Sequence, residues 1–335
     1  MQKKLDTYFK FIPKYDDHNK KVFIYDPEHQ RAYFTTKPEP TDKFVVQKSG
    51  IKLFLRGAPP LTFTKNIPVI QCRYSVPLVK SNLQKAVRRC NTQIAIQSAL
   101  ALIQMAPMEF LRRLPVICIE DVCLMDSFSI PVWLMMADKD YGKLTPLDID
   151  TLLQIVVSLC ETKTFFPYVK NDLTYAFTPE AIQFCPNADQ LLSLYFRSEY
   201  GGLKGDMQML RVAIDYYRLH PAEVLKTEFQ TINYELVERE IEILVEAIDF
   251  HPFPQMLTML SKIVALERDT IKEFIWFVES GYNVRKQETI VLSVNYEERP
   301  QWRKIEKHLE SVRCNLIKGT CRSLYTSEDL KWDTP

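Results

Sequence analysis

The sequence predicts an α+β protein: a small N-terminal antiparallel sheet, then a mainly α-helical body, then a short C-terminal strand and helix. Two observations carry this. Short β-branched and aromatic runs, separated by Pro, Gly, Asp and Asn, crowd residues 22–76, whereas capped segments with helical apolar spacing fill residues 77–284. An apolar share of 46% over 335 residues is enough for one large core or two ordinary ones. The expected division is a terminal peptide and polar spacer (1–21), a β-rich domain (22–76), a helical domain (77–284), and a last strand with a basic helix (285–335).

The β-rich runs are Val22 to Tyr25, Ala32 to Thr35, Phe44 to Gln47, Ile51 to Leu55, Leu61 to Thr64 and Val69 to Tyr74. Ser49-Gly50, between the third and fourth, is a hairpin signal. Helices follow from their punctuation. Asn91 caps a helix running to Met105, and Pro107 begins a further short one. Thr145-Pro146-Leu147-Asp148 supplies a cap, an N1 proline and an acidic first turn, and Thr178-Pro179-Glu180 and His220-Pro221-Ala222-Glu223 are punctuated similarly. Leu236, Val237, Ile241, Leu244, Val245 and Ile248 have helical spacing, as do Ile271, Phe274, Ile275 and Val278 ahead of Gly281. A strand at Thr289 to Asn295 and a basic helix at Gln301 to Lys318 close the chain.

Composition excludes some classes. A formal charge of +1, from 43 Lys and Arg against 42 Asp and Glu, means that any nucleic-acid contact must come from a local patch. The eight cysteines, Cys72, Cys90, Cys118, Cys123, Cys160, Cys185, Cys314 and Cys321, form no C-x-x-C and sit mostly in apolar segments, so they read as reduced core thiols of an intracellular protein. The apolar stretches Ile94 to Met105 and Leu114 to Ala137 are interrupted before reaching the roughly twenty residues of a membrane span, and no membrane partner is expected.

The most informative short pattern is Met1-Gln2-Lys3-Lys4-Leu5-Asp6-Thr7-Tyr8-Phe9-Lys10. One helical turn over Leu5 to Phe9 places Leu5, Tyr8 and Phe9 on one side as a three-pronged plug and leaves Gln2 free to hydrogen-bond a polar pocket. Gln2, Leu5, Tyr8 and Phe9 resemble the PIP box of proteins that bind the sliding clamp PCNA, and Lys3, Lys4 and Lys10 suit an acidic clamp surface. The resemblance implies a replication or repair factor working in the nucleus, or in the cytoplasm for a virus that replicates there. The bland alternative is an amphipathic terminus that folds back on the domain.

Three further clusters invite a functional reading. On a helix over Pro77 to Arg89, Lys80, Gln84 and Arg88 line up at i, i+4, i+8 with Lys85 and Arg89 beside them, a row able to track DNA phosphates or simply to face solvent. Next, Glu120 and Asp121 follow the apolar run from Leu114 and need cationic partners, Arg112 or Arg113 being nearest in sequence. Residues 79–124, with Arg112-Arg113-Leu114 and then Glu120-Asp121-Val122, resemble the helical C-terminal region of the RarA and Werner-interacting ATPase family. That implies a scaffold or self-associating role; with no G-x-x-x-x-G-K-[ST] in the chain, no ATPase activity is carried over and no cofactor is expected. Third, Gly201, Gly202 and Gly205 concentrate three of the eight glycines, and with Arg197, Lys204 and Asp206 they form either an anion-binding loop at a helix N-terminus or a tight turn capped by Asp206.

Catalytic signatures are thin. Asp138, Asp140, Asp148 and Asp150 offer carboxylates for a two-metal nuclease, but Asp148 is better explained by the helix that Thr145 starts. His308, Cys314 and Cys321 lack zinc spacing, so no metal is expected. The sequence therefore favours a clamp-tethered, DNA-contacting accessory factor over a clamp-tethered enzyme or a scaffold with a chance terminal match.

Overall fold

The structure, a computed structural model, describes residues 20–45, 52–57, 66–141, 143–167, 179–244, 247, 254–274, 283–286, 304, 305, 307 and 308. The clamp-like peptide, the run 61–64, the strand expected at 289–295 and most of the basic helix lie outside the described residues.

The α+β architecture is present. Strands β1 (Lys20–Asp26), β2 (Arg31–Thr35), β3 (Lys43–Val45) and β4 (Lys52–Gly57) form one sheet in the order β2-β1-β4-β3. β1 and β2 pair antiparallel with Phe23 opposite Phe34, and β3 and β4 pair antiparallel with Phe44 opposite Phe54. The two hairpins join through β1 and β4, which run parallel, so the sheet is mixed where an antiparallel one was expected. The connection 36–42 explains this: it leaves β2 at one edge and enters β3 at the other, held by Arg56 through Lys37 O (3.0 Å), Asp42 Oδ1 (2.6 Å) and Glu39 (2.7 Å). Arg56 also keeps the Asp42 carboxyl below its usual pKa. β1 is buried without alternation from Lys21 to Tyr25, as suits a central strand covered on both faces. The run Val69 to Tyr74 makes only a bridge, Gln71 to Glu240.

One sheet face docks on helix α4 (Ser129–Tyr141). The Trp133 indole N–H donates to Phe23 O at 2.9 Å and its ring lies 5.1 Å from that of Tyr25. Phe34 stacks on Phe23 at 4.0 Å and meets Phe196 of α7 (Ala188–Tyr200) at 5.6 Å. The β2 edge is closed by Asp189, which accepts the Phe34 amide at 2.8 Å; burial raises the pKa of that carboxyl.

The helices follow their caps. α1 (Val76–Arg88) packs on α2 (Thr92–Met105), and α2 on α5 (Pro146–Glu161). Asn91 accepts the Ile94 amide, and Thr145 with Asp148 forms a reciprocal capping box. The buried Asp148 also accepts the Tyr25 hydroxyl at 2.9 Å, tying this helix start to the sheet. α3 (Pro107–Asp121) is longer than expected because it runs on through Pro115. Proline has no N–H, so the ladder opens at Leu111 O. α6 (Pro179–Ile182) is one turn, and α8 (Lys204–Leu219) packs beside its sequence neighbour α7, from which a glycine turn separates it. After α8, His220-Pro221 begins a single 3-10 turn, Pro221–Glu223, and no α-helix.

The helix expected from Leu236 onward is replaced by extended chain over residues 237–244, a strap across α1 and α2. Two fully buried amide side chains supply the reason. Gln97 Nε2 donates to Glu238 O (3.3 Å) and Glu240 O (3.1 Å), while its Oε1 accepts from Glu242 N (3.4 Å). Asn82 Nδ2 donates to Glu242 O (2.8 Å) and its Oδ1 accepts from Leu244 N (2.9 Å). These bonds satisfy a backbone that a helix would have satisfied internally, and they turn Ile241 and Ile243 inward with Glu240 and Glu242 outward. α9 (Pro254–Val264) and α10 (Arg268–Phe274) follow, α10 taking up the Ile271 and Phe274 positions of the expected helix; its continuation lies outside the described residues.

Sheet docking depends on a missing side chain. A Cβ on Gly57 would lie 2.5 Å from Cη2 of Trp133, which is almost fully buried. Gly57→Ala is expected to cost about 1–3 kcal/mol by overpacking, read as a lower urea midpoint with an unchanged m value.

Candidate functional site

The cationic row of α1 is an internal ion network. α1 is flanked by α2 and α3, so the face beside its apolar stripe meets the acidic end of α3. Gln84, Lys85 and Arg88 are buried, which corrects the expectation of a solvent-facing phosphate track over Lys80, Gln84, Lys85, Arg88 and Arg89. Arg88 donates Nε to Asp121 Oδ1 at 2.5 Å and Nη2 to Glu120 Oε1 at 2.7 Å. Gln84 Nε2 donates to Asp121 Oδ2 at 2.9 Å, and its Oε1 accepts from Arg113. Arg113 continues to Asp206 at 3.2 Å and approaches Glu120 at 3.7 Å. At the rim, Lys80 pairs with Glu109 at 2.6 Å and holds that carboxyl below its usual pKa, and Arg89 is half-exposed.

The partners expected for Glu120 and Asp121 thus divide: Arg113 reaches Glu120, but Arg88, more distant in sequence, is the principal cation for both. Burial and the adjacent Asp121 push the Glu120 carboxyl above its ordinary pKa, against the pull of Arg88 and Arg113. Sequence reasoning missed a third contributor, residues 283–286. Asn283 Nδ2 donates to Asp121 O at 2.8 Å, and Lys286 to Glu120 O at 3.3 Å. Arg285 donates to Val87 O (2.8 Å), Leu159 O (2.5 Å) and Thr162 O (2.7 Å), so one guanidinium serves the C-terminal carbonyls of both α1 and α5. Only the charge of Arg285-Lys286 was visible beforehand; no periodicity points to helix ends so distant in the chain.

The glycine loop resolves mainly as a turn. Gly201 (φ +103°) and Gly202 (φ +153°) lie in the region that favours glycine, whereas Gly205 lies within the first turn of α8. Leu203 occupies the N-cap position and Asp206 sits three residues inside, so Asp206 does not cap as expected; its carboxylate is turned to Arg113. Arg197 is buried, donating to Arg112 O (2.7 Å) beside the proline-opened part of α3 and to Gly201 O (3.0 Å). Desolvation pulls its pKa down to about 10. Arg197 is therefore a brace between α3 and the loop, and of the two cations read at the loop only Lys204 is exposed.

The carboxylates considered for catalysis are likewise engaged where they are described. Asp148 serves its cap, and Asp150 accepts from Gln154 Nε2 and the Tyr234 hydroxyl, both at 2.7 Å. The side chains of Asp138 and Asp140 lie outside the described residues, as do Cys314, Cys321 and the clamp-like residues Gln2, Leu5, Tyr8 and Phe9. Among the described residues no group of three or more His, Cys, Asp or Glu is arranged to hold a metal ion, and Cys72, Cys90, Cys118, Cys123, Cys160 and Cys185 are free thiols. No helix among them is long and apolar enough to cross a membrane. Comparison with protein-family models, curated proteins and solved structures finds no match for this chain.

Two tests follow from this geometry. Asp121→Ala takes from the interior the carboxylate that Arg88 Nε and Gln84 Nε2 share and is expected to cost about 3–5 kcal/mol, whereas Glu120→Gln removes a like charge and should cost under about 1 kcal/mol, both read by urea denaturation at neutral pH. In the loop, Gly202→Val forces a β-branched residue to φ +153° with its Cβ about 3.0 Å from Met207 Cε. It should lower the melting temperature, while Lys204→Gln should leave it unchanged and weaken only the binding of an anion at the loop.

Proposed function

We propose that this protein is a replication or repair accessory factor tethered to a PCNA-like sliding clamp, with DNA as its second partner. The observation that carries the reading is the spacing of Gln2, Leu5, Tyr8 and Phe9 in a lysine-flanked peptide. Residues 10–19 separate that peptide from the first strand at Lys20, and an extended stretch of this length reaches at most about 35 Å. A clamp-bound peptide would thus keep the folded body close to the DNA that the clamp encircles.

The body's chemistry favours an accessory role over catalysis. Asp148, Asp150, Asp121 and Asp206 are each committed to a cap, a hydroxyl or an arginine, so these four buried or half-buried carboxylates serve packing. DNA contact falls to cations at the rim, Lys80 and Arg89 on α1 and Lys204 at the glycine loop, and not to buried Gln84, Lys85 or Arg88. A few such cations suit a factor whose local DNA concentration is raised by tethering.

Replacing Tyr8 and Phe9 together with alanine should weaken clamp binding by about 2 kcal/mol or more in calorimetry, since paired rings carry most of such a plug's buried apolar area. The melting temperature should not move. Equal clamp affinity of variant and parent would remove the basis of the proposal.

A further inference from the structure

Residues 224–228 follow α8 and its 3-10 turn as extended chain pinned to the body. Leu225 N donates to Leu124 O at 3.0 Å and Leu225 O accepts from Asp126 N at 2.9 Å, a parallel bridge beside Met125. Thr227 N donates to Asp126 Oδ1 at 2.9 Å, its hydroxyl to Ser127 Oγ at 2.5 Å, and Glu228 N to Ser158 Oγ at 3.4 Å. These bonds fix the alternation of an extended strand: Leu225 and Thr227 turn to the body, while Lys226 and Glu228 are exposed on the same outward side. Among the described residues neither the Lys226 ammonium nor the Glu228 carboxylate has a hydrogen-bond or ion-pair partner, so both are presented uncommitted.

We infer that Lys226 is a conjugation site for a ubiquitin-like modifier, brought to it as a thioester on a conjugating enzyme. Leu225-Lys226-Thr227-Glu228 has the order aliphatic-Lys-x-Glu, which the conjugating enzyme of the small ubiquitin-like modifier reads directly in extended chain. Each part has a chemical task. The lysine stem crosses a narrow cleft to the thioester, while a carboxylate two residues on, leaving the same face, meets cations at the cleft mouth. Leu225 is half-buried and keeps part of its side chain open to an apolar contact. Lys226 Nζ, after giving a proton to water, attacks the thioester carbonyl; the C–N amide bond forms as the C–S bond breaks, and the enzyme's cysteine leaves as thiolate. The fold separates this site from other matches in the chain. Leu203-Lys204-Gly205-Asp206 has the aspartate form of the order, but it opens helix α8 and its carboxylate is taken by Arg113. Val169-Lys170-Asn171-Asp172 and Leu330-Lys331-Trp332-Asp333 lie outside the described residues. The glutamate form occurs only at Lys226. This inference goes beyond clamp tethering and does not depend on it.

The test incubates the full chain with ATP, the activating and conjugating enzymes and the small ubiquitin-like modifier, without a ligase, and maps the digested product by mass spectrometry. The expected product carries one modifier, joined to Lys226. Lys226→Arg keeps the charge at an exposed position, so it should leave the melting temperature unmoved and abolish the adduct. Glu228→Gln removes only a charge and should slow the initial rate about ten-fold, as expected for the loss of a charge-assisted contact. An unmodified parent, an adduct that survives in Lys226→Arg, a linkage mapped to Lys170, Lys204 or Lys331, or a Glu228→Gln rate equal to the parent's would each overturn the inference. The Tyr8 and Phe9 alanine variant should be conjugated like the parent, so failure of clamp binding and failure of conjugation are read separately.

Discussion

A buried carboxylate at the end of α3 constrains the helical body. Asp121 is nearly inaccessible, and a charge held there without partners would cost several kcal/mol. Arg88 and Gln84 meet it from α1, Asn283 binds the carbonyl of the same residue, and Arg113 extends the network to Asp206 on α8. The relative placement of α1, α3, α8 and residues 283–286 is therefore set by one charge balance as well as by apolar packing. Such a network gains its value from completeness, because removing one member exposes the cost of all the others.

How far the sequence revealed this fold depends on whether the signal was local. Asn91, and Thr145 with Asp148, mark helix starts because a cap is a bond between residues three apart. Of the two hairpins, that of β3 and β4 was signalled by Ser49-Gly50, a pair that itself lies outside the described residues. Their parallel junction was not, because the pairing of β1 with β4 depends on where residues 36–42 cross, and the Arg56 contacts that hold them there leave no periodic trace. The strap is the sharpest case. Leu236, Val237, Ile241 and Leu244 fit a helix by spacing, but Ile241 and Ile243 fit a strand equally well, and the choice was made by Asn82 and Gln97, over a hundred residues earlier.

The candidate sites divide in a similar way. Lys80, Gln84, Lys85, Arg88 and Arg89 do share one helix region, as spacing indicated, but spacing cannot tell a face turned to water from one turned to a neighbouring helix end. Glu120 and Asp121 were recognisable as carboxylates in need of cations; which cation came nearest required the packing of α1 on α3. In the loop, the glycines at Gly201 and Gly202 were correctly singled out as backbone-driven, while Arg197, read as a ligand-facing cation, is committed to carbonyls inside. The clamp-like peptide differs from all of these, since its meaning rests on a partner's surface and not on this chain's own packing.

Arg285 has a consequence for the order in which the molecule is made. Its guanidinium serves carbonyls at the ends of α1 and α5, elements completed by Arg88 and Glu161. During vectorial synthesis those two helix ends must wait for well over a hundred further residues to leave the ribosome before their last carbonyls find this partner. Until then water has to solvate them, so the nascent helical body stays looser at that end than in the finished protein. Consolidation of the early helices is thereby deferred to a late moment of translation, and a chain stalled before position 285 would present that unfinished end to whatever surveys incomplete polypeptides.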